Sequence, residues 1–188
     1  MSTTNLFVEL LVVGVGAFAW VVLLILGFAD KDIEVVFKLA DVAWFVPLVS
    51  IVYVLGIVAD RVADGIFEKF WGNTIHNQIF SDRNSYYKAR SMIFSSSQAI
   101  AELLEYNRSR LRICRGWGLN SVILIVAVNL YAILRSAPYA EQFVMVLTGS
   151  VLFFMIACGS WFSWRDILTK EYSKTKHQAG SISEQLTG

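Results

Sequence analysis

Four apolar runs, set two and two on either side of a polar stretch, Asp60 to Gly118, restrict this chain more than any other feature of it. A helix needs roughly 20 mainly apolar residues to cross the hydrocarbon layer of a membrane. Leu6 to Phe28 meets that length with one acid, Glu9, near its start, and Phe143 to Trp164 meets it without any charge. Val42 to Ala59, which carries Pro47, and Leu119 to Leu134, which contains Asn120 and Asn129, are shorter but uncharged, and they qualify as spans when paired with each other. Hydrophobic residues make up 56% of the 188, more than the core of a soluble domain uses. The expected fold is therefore an all-α membrane protein with four transmembrane helices and a helical hairpin extension between spans two and three. It divides into a first membrane hairpin (1–59), a stalk and crown (60–118), a second membrane hairpin (119–164) and a tail (165–188).

Basic residues set the orientation. Nine of the sixteen Lys and Arg lie between Asp60 and Gly118 and four follow Trp164, whereas the loops Ala29 to Asp41 and Arg135 to Gln142 hold two and one. Because loops rich in Lys and Arg stay inside, the 60–118 stretch and both termini are expected in the cytoplasm. The first run is too long for a signal-peptide core and has no clear cleavage site after it, so it is expected to remain as an anchor. The tail from Lys170 onward is polar and is expected to fray.

The 60–118 stretch contains no proline and reads as helix. Val62, Ile66 and Phe70 fall on one face while Asp60, Asp64 and Glu68 recur at every fourth position on another, so the second span is expected to continue outward as a helix. Gly72 and Asn73 mark its end or a bend. Ser81 or Asn84 is placed to cap the returning helix, which carries apolar residues at helical spacing from Tyr86 to Cys114. A two-helix stalk of that kind would extend roughly 30 to 45 Å and has too little core to stand alone, so oligomerisation is expected.

Two basic clusters carry the functional expectations. Arg83, Asn84, Tyr86, Tyr87, Lys88 and Arg90 fall at the expected tip. Cations for phosphates interleaved with flat rings for bases are what single-stranded nucleic acid requires, although the same residues also suit a solvated helix with Tyr packed between subunits. Arg108, Arg112 and Arg115 share one helical face close to the third span. Repeated around an oligomer they would ring an anion, and they equally suit a topological role against anionic membrane lipids. Arg110 points elsewhere, toward Tyr106 or a neighbouring acid.

Polar residues within the spans mark either a pore or a helix contact. Asn129 near the middle of span three and Asn120 at its cytoplasmic end are pore candidates, or they form interhelical hydrogen bonds. Asp60 and Asp64 stand where a pore would open, and they also suit pairing with Arg61 or with the returning arginines. Cys114, Cys158, His76 and His177 form no metal or redox motif. The chain has no HExxH, Walker loop, nucleophile elbow or paired catalytic carboxylate, so neither an enzyme nor a cofactor is expected.

A four-span protein with this insert, carrying S-D-R-N-S-Y-Y-K-A-R and N-R-S-R-L-R-I-C-R between Ser81 and Arg115, resembles the Hailong antiphage-defence membrane effectors. The resemblance implies a homotetrameric bacterial inner-membrane ion channel whose cytoplasmic crown binds an anionic ligand such as a deoxyadenylate oligomer or nucleotide. It also implies a nucleotidyltransferase encoded nearby, repression by the bound ligand, and growth arrest on its loss. In size and span number the chain is also similar to the Kiwa membrane component, which implies a non-conducting sensor that docks and restrains a cytoplasmic effector.

Overall fold

The computed structural model describes residues 3–28, 45–80, 82–96, 98–135 and 139–187, almost all of them helical. In chain order these are α1 (Thr3–Phe28), α2 (Phe45–Phe67), a π-turn (Glu68–Gly72), α3 (Asn73–Ile79), α4 (Arg83–Ser96), α5 (Gln98–Arg135) and α6 (Tyr139–Thr187). Among the described residues, four helical stretches are long and apolar enough to cross a membrane, Leu6–Phe28, Phe45–Ile79, Leu104–Leu134 and Gln142–Ile182. Val42 to Trp44, at the expected start of the second span, and Ser81, one of the two expected caps, lie outside the described residues.

Helix is the only economical state for the apolar runs, because each backbone N–H and C=O finds its partner within the segment. Pro47 falls in the first turn of the described part of α2, where its missing N–H removes no intrahelical bond. The helices α1 and α2 meet backbone to backbone. A Cβ placed on Gly14 would lie 2.8 Å from the Val52 carbonyl carbon, and one placed on Gly56 would lie 2.8 Å from that of Leu10. Small residues let helices approach this closely where no hydrophobic effect drives them together. Val13, Ala17 and Ala59 are buried at this contact beside Trp20 and Leu55.

α5 packs against α1, α2 and α6, while α6 also packs against α3 and α4. A second core lies where the apolar parts end. Phe67, Ile75, Leu111, Trp164 and Leu168 cluster there, with Phe67 and Trp164 in edge-on contact at 5.0 Å.

Of the end or bend expected at Gly72 and Asn73, the outgoing helix does not take the end. It widens into the π-turn Glu68–Gly72 and runs on to Ile79, where Phe80 turns to extended backbone. α4 is described to Ser96 and α5 from Gln98, with Ser97 between them outside the described residues. The tail is helix rather than frayed chain. α6 is 49 residues long, or about 74 Å at 1.5 Å per residue, more than twice the roughly 30 Å hydrocarbon layer. Its polar half is held because Trp164, Leu168, Glu171 and Thr175 recur every three or four residues and are all buried. α6 thus packs against α3, α4 and α5.

Candidate functional site

Helical spacing brings five charged side chains from three helices together. Asp60 and Asp64 lie one turn apart on α2, Arg112 and Arg115 lie three residues apart on α5, and α1 supplies Glu9. Arg112 Nη1 donates to Glu9 Oε2 at 2.6 Å, and its Nε lies 3.6 Å from Asp60 Oδ2. Arg115 donates to Asp60 Oδ1 through Nη2 at 3.0 Å and Nε at 3.3 Å, and to Asp64 Oδ1 through Nη1. Glu9 and Asp60 are only 4% and 5% exposed, and charges so buried persist only when paired. Of the two partners foreseen for Asp60 and Asp64, the structure selects the returning arginines. The face of α5 that carries Arg112 and Arg115 is therefore used inside one chain.

These arginines form one end of a cavity of about 390 Å³. Toward its other end, Tyr86, Tyr87 and Arg90 of α4 face Arg108 of α5, with Glu171 and Tyr172 of α6 and His76 of α3. The two basic clusters that the sequence separates thus line a single cavity. Tyr86 and Tyr87 are not at the tip, since α4 runs on to Ser96. Tyr86 instead packs against Phe80 at 5.3 Å, Tyr172 at 5.2 Å and His76 at 5.9 Å. Asn84 and Lys88 are exposed and do not line the cavity, and the side chain of Arg83 lies outside the described residues. Arg110 sits over the Tyr106 ring at 5.8 Å, one of the two partners expected for it.

The cavity holds two buried groups whose polar atoms lack partners. Among the described residues, Glu171 Oε2 and His76 Nε2 have no hydrogen-bond partner, although the side chains are 5% and 8% exposed. Burial raises the Glu171 pKa above its ordinary value, against the opposing pull of Arg108 and Arg90. The Tyr86 hydroxyl is also raised, by burial and then by Glu171, while Arg108 and a hydrogen bond from Arg90 act the other way. Arg90 and Arg108 stand here with Glu171, two cations against one carboxyl, the polarity an anion requires.

Asn120 and Asn129 serve helix contacts. Asn120, fully buried, accepts from Trp20 Nε1 at 3.3 Å and donates to the Val13 carbonyl at 2.8 Å, joining α5 to α1. Asn129 donates to Ser150 Oγ at 3.0 Å, joining α5 to α6, and to the Ile125 carbonyl at 2.8 Å.

Sequence reasoning missed Glu171, Tyr172 and Arg61 as cavity residues and left His76 without a role. The buried stripe from Trp164 to Thr175 was the available signal for α6, because it has helical spacing despite the polar composition around it. Nothing local pointed to His76. No family model matches this chain, no curated protein matches it, and no solved structure matches it.

Proposed function

We propose that this protein is an antiphage-defence effector of the bacterial inner membrane. On this reading it is a homotetrameric ion channel with both termini and the 60–118 stretch in the cytoplasm. An anionic ligand in the cavity, a nucleotide or the end of a single-stranded DNA oligomer made by a neighbouring nucleotidyltransferase, holds it closed, and release of the ligand arrests growth. The observation that carries this reading is that one cavity is lined both by Tyr86, Tyr87, Arg90 and Arg108 and by Arg112 and Arg115, the arginines that tie α1 and α2 to α5. An anion that draws on Arg112 or Arg115 changes how tightly Glu9, Asp60 and Asp64 are held. A ligand shifts an equilibrium only through such differential contacts. The apolar window of the fourth long helix is 0% buried within one chain, which leaves it to lipid or to sibling subunits.

The test is conductance of the purified protein in planar bilayers with and without a deoxyadenylate oligomer. Current that the oligomer suppresses, and that persists in its presence for Arg90→Glu, is the expected result. Current indifferent to the oligomer removes the gating claim. A second reading, a non-conducting sensor that docks a cytoplasmic effector, is favoured by the engagement of Asn120 and Asn129 within one chain. Absence of current under every ligand condition selects it.

A further inference from the structure

The composition of the cavity narrows its ligand further. Its volume, about 390 Å³, falls at the small end of the roughly 300–1,000 Å³ typical of ligand cavities. That is room for one phosphorylated small molecule and not for several nucleotides of a strand. Arg90 and Arg108 both act on Tyr86 and Glu171, so the four side chains share one electrostatic neighbourhood. Glu171 Oε2 and His76 Nε2, in side chains more than nine-tenths buried, still lack partners among the described residues. Buried polar atoms without partners in a native protein call for a group to satisfy them. Arginine forks recognise phosphate oxygens in pairs, and the ring cluster of Tyr86, Tyr172 and His76 offers flat surfaces to the body that carries the phosphate.

We propose that the Arg90–Arg108 end of this cavity is a site for a single phosphomonoester group, with the esterified body lying against Tyr86, Tyr172 and His76. The proposal rests on the reading of the cavity as the ligand site. The phosphate oxygens accept from the two guanidiniums, while Glu171 and His76 hydrogen-bond the polar edge of the body. The same phosphomonoester chemistry occurs in a free nucleoside monophosphate and in the headgroup of phosphatidic acid, which would enter from the membrane side past Trp164 and Arg115.

The experiment uses the full chain in lipid nanodiscs, titrated calorimetrically with adenosine 5′-monophosphate and with inorganic phosphate. Two lipid compositions are compared, one containing phosphatidic acid and one containing only phosphatidylglycerol as the anionic lipid. Saturable binding of adenosine monophosphate in both compositions identifies a soluble ligand. Binding that appears only without phosphatidic acid identifies the lipid as the natural occupant. Arg108→Gln is expected to weaken binding more than about tenfold, as loss of a charged hydrogen bond requires, whereas Arg110→Gln, at the arginine that covers Tyr106, leaves it unchanged. Circular dichroism checks folding, and if Arg108→Gln is misfolded, Arg108→Lys, which keeps the charge and loses the fork, is expected to weaken binding several-fold. Equal loss in the Arg108 and Arg110 variants overturns the proposal. So does a protein that binds neither adenosine monophosphate nor phosphate in phosphatidylglycerol discs and shows no preference for phosphatidic acid. Binding without an effect on conductance would refute the gating function and leave this site standing. Gating by a DNA oligomer without monoester binding would do the reverse.

Discussion

Replacing Gly56 by alanine sets two effects of known sign against each other. Alanine is favoured over glycine inside a helix by about 0.8–1.0 kcal/mol, so propensity alone makes the variant more stable. The new Cβ, however, would lie 2.8 Å from the Leu10 carbonyl carbon and overlap its oxygen, whereas ordinary contact begins at 3.4 Å. Even counting only the carbon, α1 and α2 must part by 0.6 Å or more, roughly the radial gap that forfeits a quarter to a half of each dispersion contact along the crossing. Overpacking of this kind costs about 1–3 kcal/mol, and here it falls on backbone that cannot rotate away, so the clash at least cancels propensity. Gly65 on the same helix is the internal control, because a Cβ there meets nothing within 4 Å. Gly65→Ala is therefore expected to gain about 1 kcal/mol while Gly56→Ala loses about 0–2 kcal/mol net. Thermal unfolding of the two variants in the same nanodisc should separate their midpoints by roughly 2–12 °C, at about 2–4 °C per kcal/mol for a chain of this size. If Gly56→Ala is as stable as Gly65→Ala, the close approach of α1 and α2 is wrong.

Arg115→Gln removes both hydrogen bonds to Asp60 Oδ1 and leaves this 5% exposed carboxylate with Arg112 at 3.6 Å, so the loss is expected to stay below the about 3–5 kcal/mol of a buried pair broken outright. Adding Asp60→Asn should recover much of that loss in a double-mutant cycle by chemical denaturation, and purely additive losses would show that the two residues do not interact. Glu171 supplies a pH dependence. Its folded pKa is raised above the ordinary value of 4.5 by burial, so folding favours its protonated form. Its contribution to stability is complete below about pH 4.5 and is lost as pH rises through the folded pKa. Unfolding measured from pH 4 to pH 8 should show this decline in the wild type and a flatter profile in Glu171→Gln, and identical slopes would contradict the burial of the carboxyl.

The parts of this molecule that local pattern could specify were specified by it. Uninterrupted apolar length makes four long helices, because in a membrane the backbone must satisfy itself within each segment. Helical spacing likewise places Arg110 over Tyr106, four residues earlier, and aligns Asp60 with Asp64. The apolar length of a run and neighbours three or four residues apart are properties of the chain itself, and no tertiary contact is needed to set them.

Tertiary structure decided what those elements meet. Arg112 reaches Glu9 across 103 residues and Arg115 reaches Asp60 across 55, and no periodicity distinguishes these partners from the other acids of the chain. Burial then makes the pairing selective, because an arginine that is 17–23% exposed against acids near 5% cannot exchange its partner for water without a desolvation cost. The polar composition at the end of α6 predicts a frayed tail, and the structure has helix there to Thr187. That helix persists because α4 and α5 pack along it, and that packing brings Glu171 and Tyr172 into the cavity that Arg90 and Arg108 line. The sequence by itself determined the helices and the faces they present. Only the packing of four distant segments turned two separate basic clusters into one cavity, since the charge balance and buried volume of a cavity belong to no single stretch of chain.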